Sequence, residues 1–128
     1  MEFITLANKN SVNLIEDVLM YSLKVNSDES GILVETLRKD WKGIYGPNRE
    51  FSMQYYSKTA SSIARDEKVW HLHSNYQEDR FLVVNGEIVT AVADQREGSS
   101  TKGTINLFDM KAAENPYILL IPKNIGCN

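Results

Sequence analysis

The stretch RFLVVNGEIVTAV, Arg80 to Val92, decides how the rest of the chain is read. Two runs rich in β-branched residues flank Asn85-Gly86, and a two-residue turn that needs φ > 0 at both positions favours that dipeptide. The stretch predicts a β-hairpin of residues 80–84 with residues 87–92. Working outward, alternation and β-branched content mark further strands at residues 69–73, 104–108 and 117–121. The polar run DQREGSSTKG, Asp94 to Gly103, is long for a hairpin connection and is expected to be mobile.

Toward the N-terminus the period reads as 3.6 rather than 2. Val12, Ile15, Val18, Leu19 and Leu23 follow helical spacing behind Ser11 as N-cap, which predicts a helix near residues 12–24. Ser27-Asp28-Glu29-Ser30 offers caps for a second helix carrying Leu33, Val34, Leu37 and Trp41, ended by Gly43 at its C′ position. Beyond the Gly46-Pro47-Asn48 turn, Phe51, Tyr55, Tyr56, Thr59 and Ile63 predict a third helix near residues 49–65. The fold class expected is α+β: three N-terminal helices packed on a C-terminal antiparallel sheet of about five strands. The 128 residues suit a single domain, with a helical half over about 11–65 and a sheet half over about 69–122.

Apolar residues at 42% and charged ones at 24% are an ordinary globular balance, enough for a core without staples. No run of about 18 apolar residues exists, so no membrane span is expected; the N-terminus lacks a secretion signal, and a cytoplasmic location follows. The single cysteine, Cys127, excludes an intramolecular disulfide and a cysteine zinc cluster. No P-loop, G-x-G-x-x-G or G-x-S-x-G occurs, so no cofactor is expected and serine-hydrolase chemistry has no local support. A net charge of −3 disfavours non-specific nucleic-acid binding. Residues 38–68 are locally positive, with seven basic and four acidic groups, and carry Trp41, Tyr45, Phe51, Tyr55 and Tyr56; aromatics among cations form a stacking platform for single strands, or simply core and surface.

His71 and His73 are the only histidines, and in a strand residues two apart share a face. If Trp70 and Leu72 enter the core, both imidazoles share the outer face or a cleft, where they are either two partly exposed polar residues or a pair that can act as acid and base or join a carboxylate on a metal. Glu78 and Arg80 follow closely, and Lys102 sits on the polar loop; a guanidinium or ammonium beside two imidazoles completes what metal-independent ribonuclease chemistry requires. Thr104 and Asn106 share a strand face and can hydrogen-bond a ligand or their own loop.

Two resemblances rest on these residues. His71-x-His73, then Glu78, then Gly86 is similar to the first cupin motif, in which such a set holds a metal; here the glycine stands one residue late and no third histidine follows. Over a longer range, Trp70-His71, Glu78, Asn85-Gly86-Glu87-Ile88-Val89-Thr90, Gly103-Thr104-Ile105-Asn106 and Asn115-Pro116-Tyr117-Ile118 resemble, in order, elements of C-terminal toxin modules of bacterial polymorphic toxins and secretion-system effectors. Ile105 replaces the usual tyrosine, and the histidine common between the last two elements is absent.

That resemblance implies a bacterial antagonistic toxin or effector module, delivered by a dedicated secretion system. Its catalytic candidates are His71, His73, Glu78, Arg80 and Lys102, its binding candidates Thr104, Asn106 and Tyr117. RNA is the first substrate to expect and a cognate immunity protein the expected partner. Whether the chain is an enzyme stays open, because a compact acidic domain equally suits a non-catalytic immunity protein or phage-encoded inhibitor that covers a basic toxin partner. A small metal-binding sheet protein is the third reading.

Overall fold

The computed structural model describes residues 2–4, 13–73 and 77–128. Ten strands follow in chain order: β1 Glu2–Ile4, β2 Leu19–Ser22, β3 Val25–Asp28, β4 Gly31–Val34, β5 His71–Leu72, β6 Asp79–Phe81, β7 Glu87–Ala93, β8 Ile105–Lys111, β9 Tyr117–Ile121 and β10 Gly126–Cys127. Five of them make a large sheet in the order β1-β8-β7-β10-β5, three make a smaller one, β2-β9-β6, and β3 with β4 forms a separate hairpin. Among the described strands all pairings are antiparallel except β1 with β8.

Strand alternation explains the core. In β7 and β8, Val92, Phe108 and Met110 turn to one side; in β9, Tyr117, Leu119 and Ile121 meet them, with Ile15, Val18, Ile125 and Cys127 closing the layer between the sheets. The even residues of β9, Ile118 and Leu120, point the other way into a second cluster with Leu23, Ile44 and Tyr45. All five residues of β9 are therefore buried, which accounts for its uninterrupted apolar sequence YILLI.

The described residues contain no helix, so the expected α+β class is corrected to an all-β fold. Ser11 and Val12, the expected start of the first helix, lie outside the described residues. Ile15 and Val18 are buried as the period required, but through a turn: Asp17 takes a left-handed φ of 70° and the Val18 N–H donates to the Ile15 carbonyl at 3.1 Å, after which the chain extends into β2. The expected second N-cap is a hairpin loop. Asp28 Oδ1 accepts from the Ser30 N–H at 2.8 Å and Gly31 takes a φ of 142°, the same short-range bonding that caps helices serving instead to join β3 to β4. Residues 49–65 form no regular element, and Phe51, Met53, Tyr55, Tyr56 and Ile63 are exposed.

The five expected strand regions overlap β5 to β9, only partly at β5 and β6, and the expected pairing of the central stretch is also corrected. β6 pairs with β9 in the small sheet while β7 pairs with β8 and β10 in the large one. Asn85-Gly86, with Gly86 at φ 79°, is thus a corner that carries the chain from one sheet to the other. Loop 94–103 is not loose either. The fully buried Asp94 carboxylate accepts from Arg96 Nε (3.0 Å), Ser99 Oγ (2.6 Å) and Thr101 Oγ1 (2.7 Å), and the Gly103 N–H donates to the Asp94 carbonyl at 2.7 Å.

Candidate active site

β5 and β6 belong to different sheets, and each delivers one half of an imidazole–carboxylate pair. His73 directly follows β5, its carbonyl accepting from the Asn124 N–H at 2.8 Å. In β6 the side chains alternate: Phe81 packs on the layer between the sheets, whereas Arg80 reaches out to the Ile44 carbonyl beyond the small sheet. Asp79 shares the inward side with Phe81, and its Oδ2 stands 3.2 Å from His73 Nε2. Its other oxygen, Oδ1, accepts from Gln77 Nε2 at 2.9 Å. The Asp79 side chain is 18% exposed and that of His73 37%, so the pair is sheltered on the core side and open to a ligand on the other.

Asp79 also faces the core's only thiol. Burial, reinforced by the Asp79 charge, pushes Cys127 up to about 11, so the thiol stays protonated and is no nucleophile. What the arrangement can do is move a proton: an imidazole with one nitrogen held by a carboxylate presents the other as a base.

The remaining sequence candidates lie elsewhere. His71 pairs with Asp66 at 2.9 Å on the exposed edge, and Trp70 and Leu72, 46% and 58% exposed, stay out of the core. Trp70 instead lies over Gly126, where a Cβ would stand 3.5 Å from the indole. Glu78 faces Arg49 at 3.8 Å, on the other side of β6 from the imidazole pair. Arg80 donates to the carbonyls of Ile44 (2.7 Å) and Arg49 (3.0 Å) with its guanidinium 4.9 Å from the Tyr45 ring, holding residues 41–49 on the second cluster. Lys102 pairs with Glu97 on the surface. Thr104 bonds its own loop through its backbone. The buried Asn106 accepts from the Ile15 N–H and donates to the Asn13 carbonyl, anchoring the segment before β2. The Tyr117 hydroxyl donates to the Asp109 carbonyl at 2.9 Å, and burial pushes its phenol well above the ordinary range.

The structure therefore brings His73 together with Asp79 and Gln77, two residues that sequence reasoning passed over. The signal was the alternation itself, which sets Asp79 and Phe81 on one face of a strand and Arg80 on the other. His71, His73 and Glu78, the cupin-like set, have three different partners, and among the described residues no group of three or more His, Cys, Asp or Glu is placed to hold a metal.

Two facing, mostly antiparallel sheets with an imidazole–carboxylate pair at one edge of the layer between them define a double-sheet jelly roll. The dTDP-4-dehydrorhamnose 3,5-epimerase family model matches residues 13–127, and the chain belongs to that family. It is 37% identical over 108 residues to the probable low-salt glycan biosynthesis epimerase Agl13 of Haloferax volcanii, covering 84% of this chain and 65% of that protein. To the spore coat polysaccharide biosynthesis protein SpsL of Bacillus subtilis it is 30% identical over 113 residues, 88% of this chain and 69% of the relative. Among solved structures, the dTDP sugar isomerase of Desulfovibrio desulfuricans G20 superposes with a TM-score of 0.68 at 26% identity, over 88% of this chain and 67% of that one. The chain thus spans about two thirds of the length of these proteins.

Family membership overturns the toxin resemblance and, with it, the effector, nuclease, immunity-protein and phage-inhibitor readings, the metal-binding sheet protein, the RNA substrate, the immunity or toxin partner and delivery by a secretion system. The jelly roll is an architecture that cupins share, a loose relation that brings no metal set with it. Among the described residues no helix is long and apolar enough to cross a membrane.

Proposed function

We propose that the chain epimerises or isomerises a nucleotide-linked keto sugar in glycan biosynthesis, with His73 as the proton-transferring base and Asp79 as its carboxylate partner. The observation that carries the reading is the 3.2 Å His73–Asp79 pair at the edge of the layer between the sheets, in a chain of an epimerase family. The chemistry named by that family fits one imidazole. In a 4-dehydro sugar the ketone stands between C3 and C5, acidifies both C–H bonds and stabilises the enolate left when a proton departs. Inverting either carbon then needs a base to take the proton and a proton returned to the opposite face. Asp79 balances the imidazolium that forms on His73 during the step. A cytoplasmic location is part of this reading.

The test is incubation with dTDP-4-dehydrorhamnose in D2O, followed by NMR. Deuterium should enter at C3 or C5 with the intact chain and not with His73→Ala. Absence of exchange from a folded intact chain overturns the proposal, and so does exchange that survives His73→Ala.

A further inference from the structure

We propose that Gln77 is a positioning residue that selects which nitrogen of His73 does the chemistry; the inference rests on the reading of His73 as the base. A carboxylate facing one imidazole nitrogen favours the tautomer with its proton on that nitrogen, because the N–H then meets an acceptor. Asp79 faces Nε2, at 3.2 Å, so the proton belongs there and the lone pair that attacks a substrate C–H belongs to Nδ1. Yet Asp79 is the first residue of a three-residue edge strand, β6, and its side chain is free to rotate unless something holds it. The hydrogen bond from Gln77 Nε2 to Oδ1, at 2.9 Å, is what holds it, and it leaves Oδ2 for the imidazole.

The backbone of His73 is fixed separately, by the Asn124 N–H on its carbonyl. Asn124 takes a left-handed φ of 66°, which aims that N–H across from the loop before β10. Main chain and ring are thus oriented from different elements, and only the ring's orientation passes through Gln77. Cys127, whose thiol burial and the Asp79 charge hold protonated, adds no charge beside the carboxylate that faces Nε2.

The experiment reads the tautomer directly. Long-range 15N–1H spectra of the two histidine side chains are recorded at about pH 9, above the ordinary imidazole range, with His71 assigned through His71→Gln. The intact chain should hold His73 as the Nε2–H form by about tenfold, the range a charge-assisted hydrogen bond supports. Gln77→Met keeps the length, removes the donor and should bring the ratio below about threefold, with the melting transition unmoved because Gln77 is exposed. Asp79→Asn, which can turn an amide N–H toward Nε2, should reverse the preference. In the deuterium assay Gln77→Met should lower kcat and leave KM alone.

A Gln77→Met spectrum identical to that of the intact chain overturns the inference, as does an Nδ1–H form in the intact chain. Gln77→Leu is the second donor-removing variant should the methionine variant fail to fold, with the same readout. The spectra do not depend on turnover: a chain that exchanges no deuterium defeats the proposed function, while the tautomer ratio still decides the role of Gln77.

Discussion

Replacing Asp94 by Ala is expected to cost about 3–5 kcal/mol, the range for removing one partner of a buried ion pair. Asp94 is fully buried at the end of β7 and receives Arg96 Nε at 3.0 Å and Arg96 Nη2 at 3.1 Å, with the hydroxyls of Ser99 and Thr101 at 2.6 and 2.7 Å. Removing the carboxylate strands these donors. Arg96 also donates to the Glu16 carbonyl and to Asp17, so the turn before β2 loosens with the loop. Against a total stability of about 5–15 kcal/mol, such a loss lowers the urea midpoint steeply while the slope stays the same. Acid supplies the sign. The Arg96 guanidinium, then the two hydroxyls, hold the Asp94 carboxyl well below the usual carboxylate range, against the opposing cost of burial. The stabilisation is therefore fully present above the unfolded-chain value of about 3.9 and is lost as pH falls below it. Urea titrations at about pH 7 and about pH 3 should show the intact chain losing more stability than Asp94→Asn over that interval. An Asp94→Ala change under about 1 kcal/mol, or equal acid sensitivity in both chains, would refute the buried-pair account.

Three further outcomes follow from the packing. Leu119→Ala, at a fully buried position of β9, should destabilise by about 2–5 kcal/mol in urea unfolding, the usual cost of a cavity of that size. Gly86→Ala should cost about 1–2 kcal/mol in the same assay, because the φ of 79° at the inter-sheet corner suits glycine. Cys127 should resist iodoacetamide at about pH 8 in the native chain and react in urea, since burial and Asp79 raise its thiol to about 11 in the fold against about 8.5 in the free residue.

The positions of β5 to β9 were legible because β-branched alternation is a local property, whereas β10 was not foreseen, and Asn85-Gly86 marked a change of direction but not the hairpin turn expected of it, since only Gly86 has a positive φ. What the dipeptide does not carry is the destination of the strands it joins: whether residues 79–81 pair with residues 87–93 or with β9 depends on which core each face meets. The N-terminal half misled for a related reason. Ile15, Val18 and Leu23 are buried, yet burial at intervals of three to five is also satisfied by a turn and a short strand, and Asp28 bonds a loop as readily as a helix end. Of the site, His73 was visible as a titratable side chain, but its partner came from the opposite sheet, a relation that no local spacing encodes.

That origin ties the chemistry to the whole sandwich. His73 rides on the end of a large-sheet strand and Asp79 on a small-sheet strand, so the gap between imidazole and carboxylate is a gauge of how closely the two layers approach. Cavity substitutions deep between the sheets, far from the pair itself, should therefore lengthen the imidazole–carboxylate contact while the chain remains native.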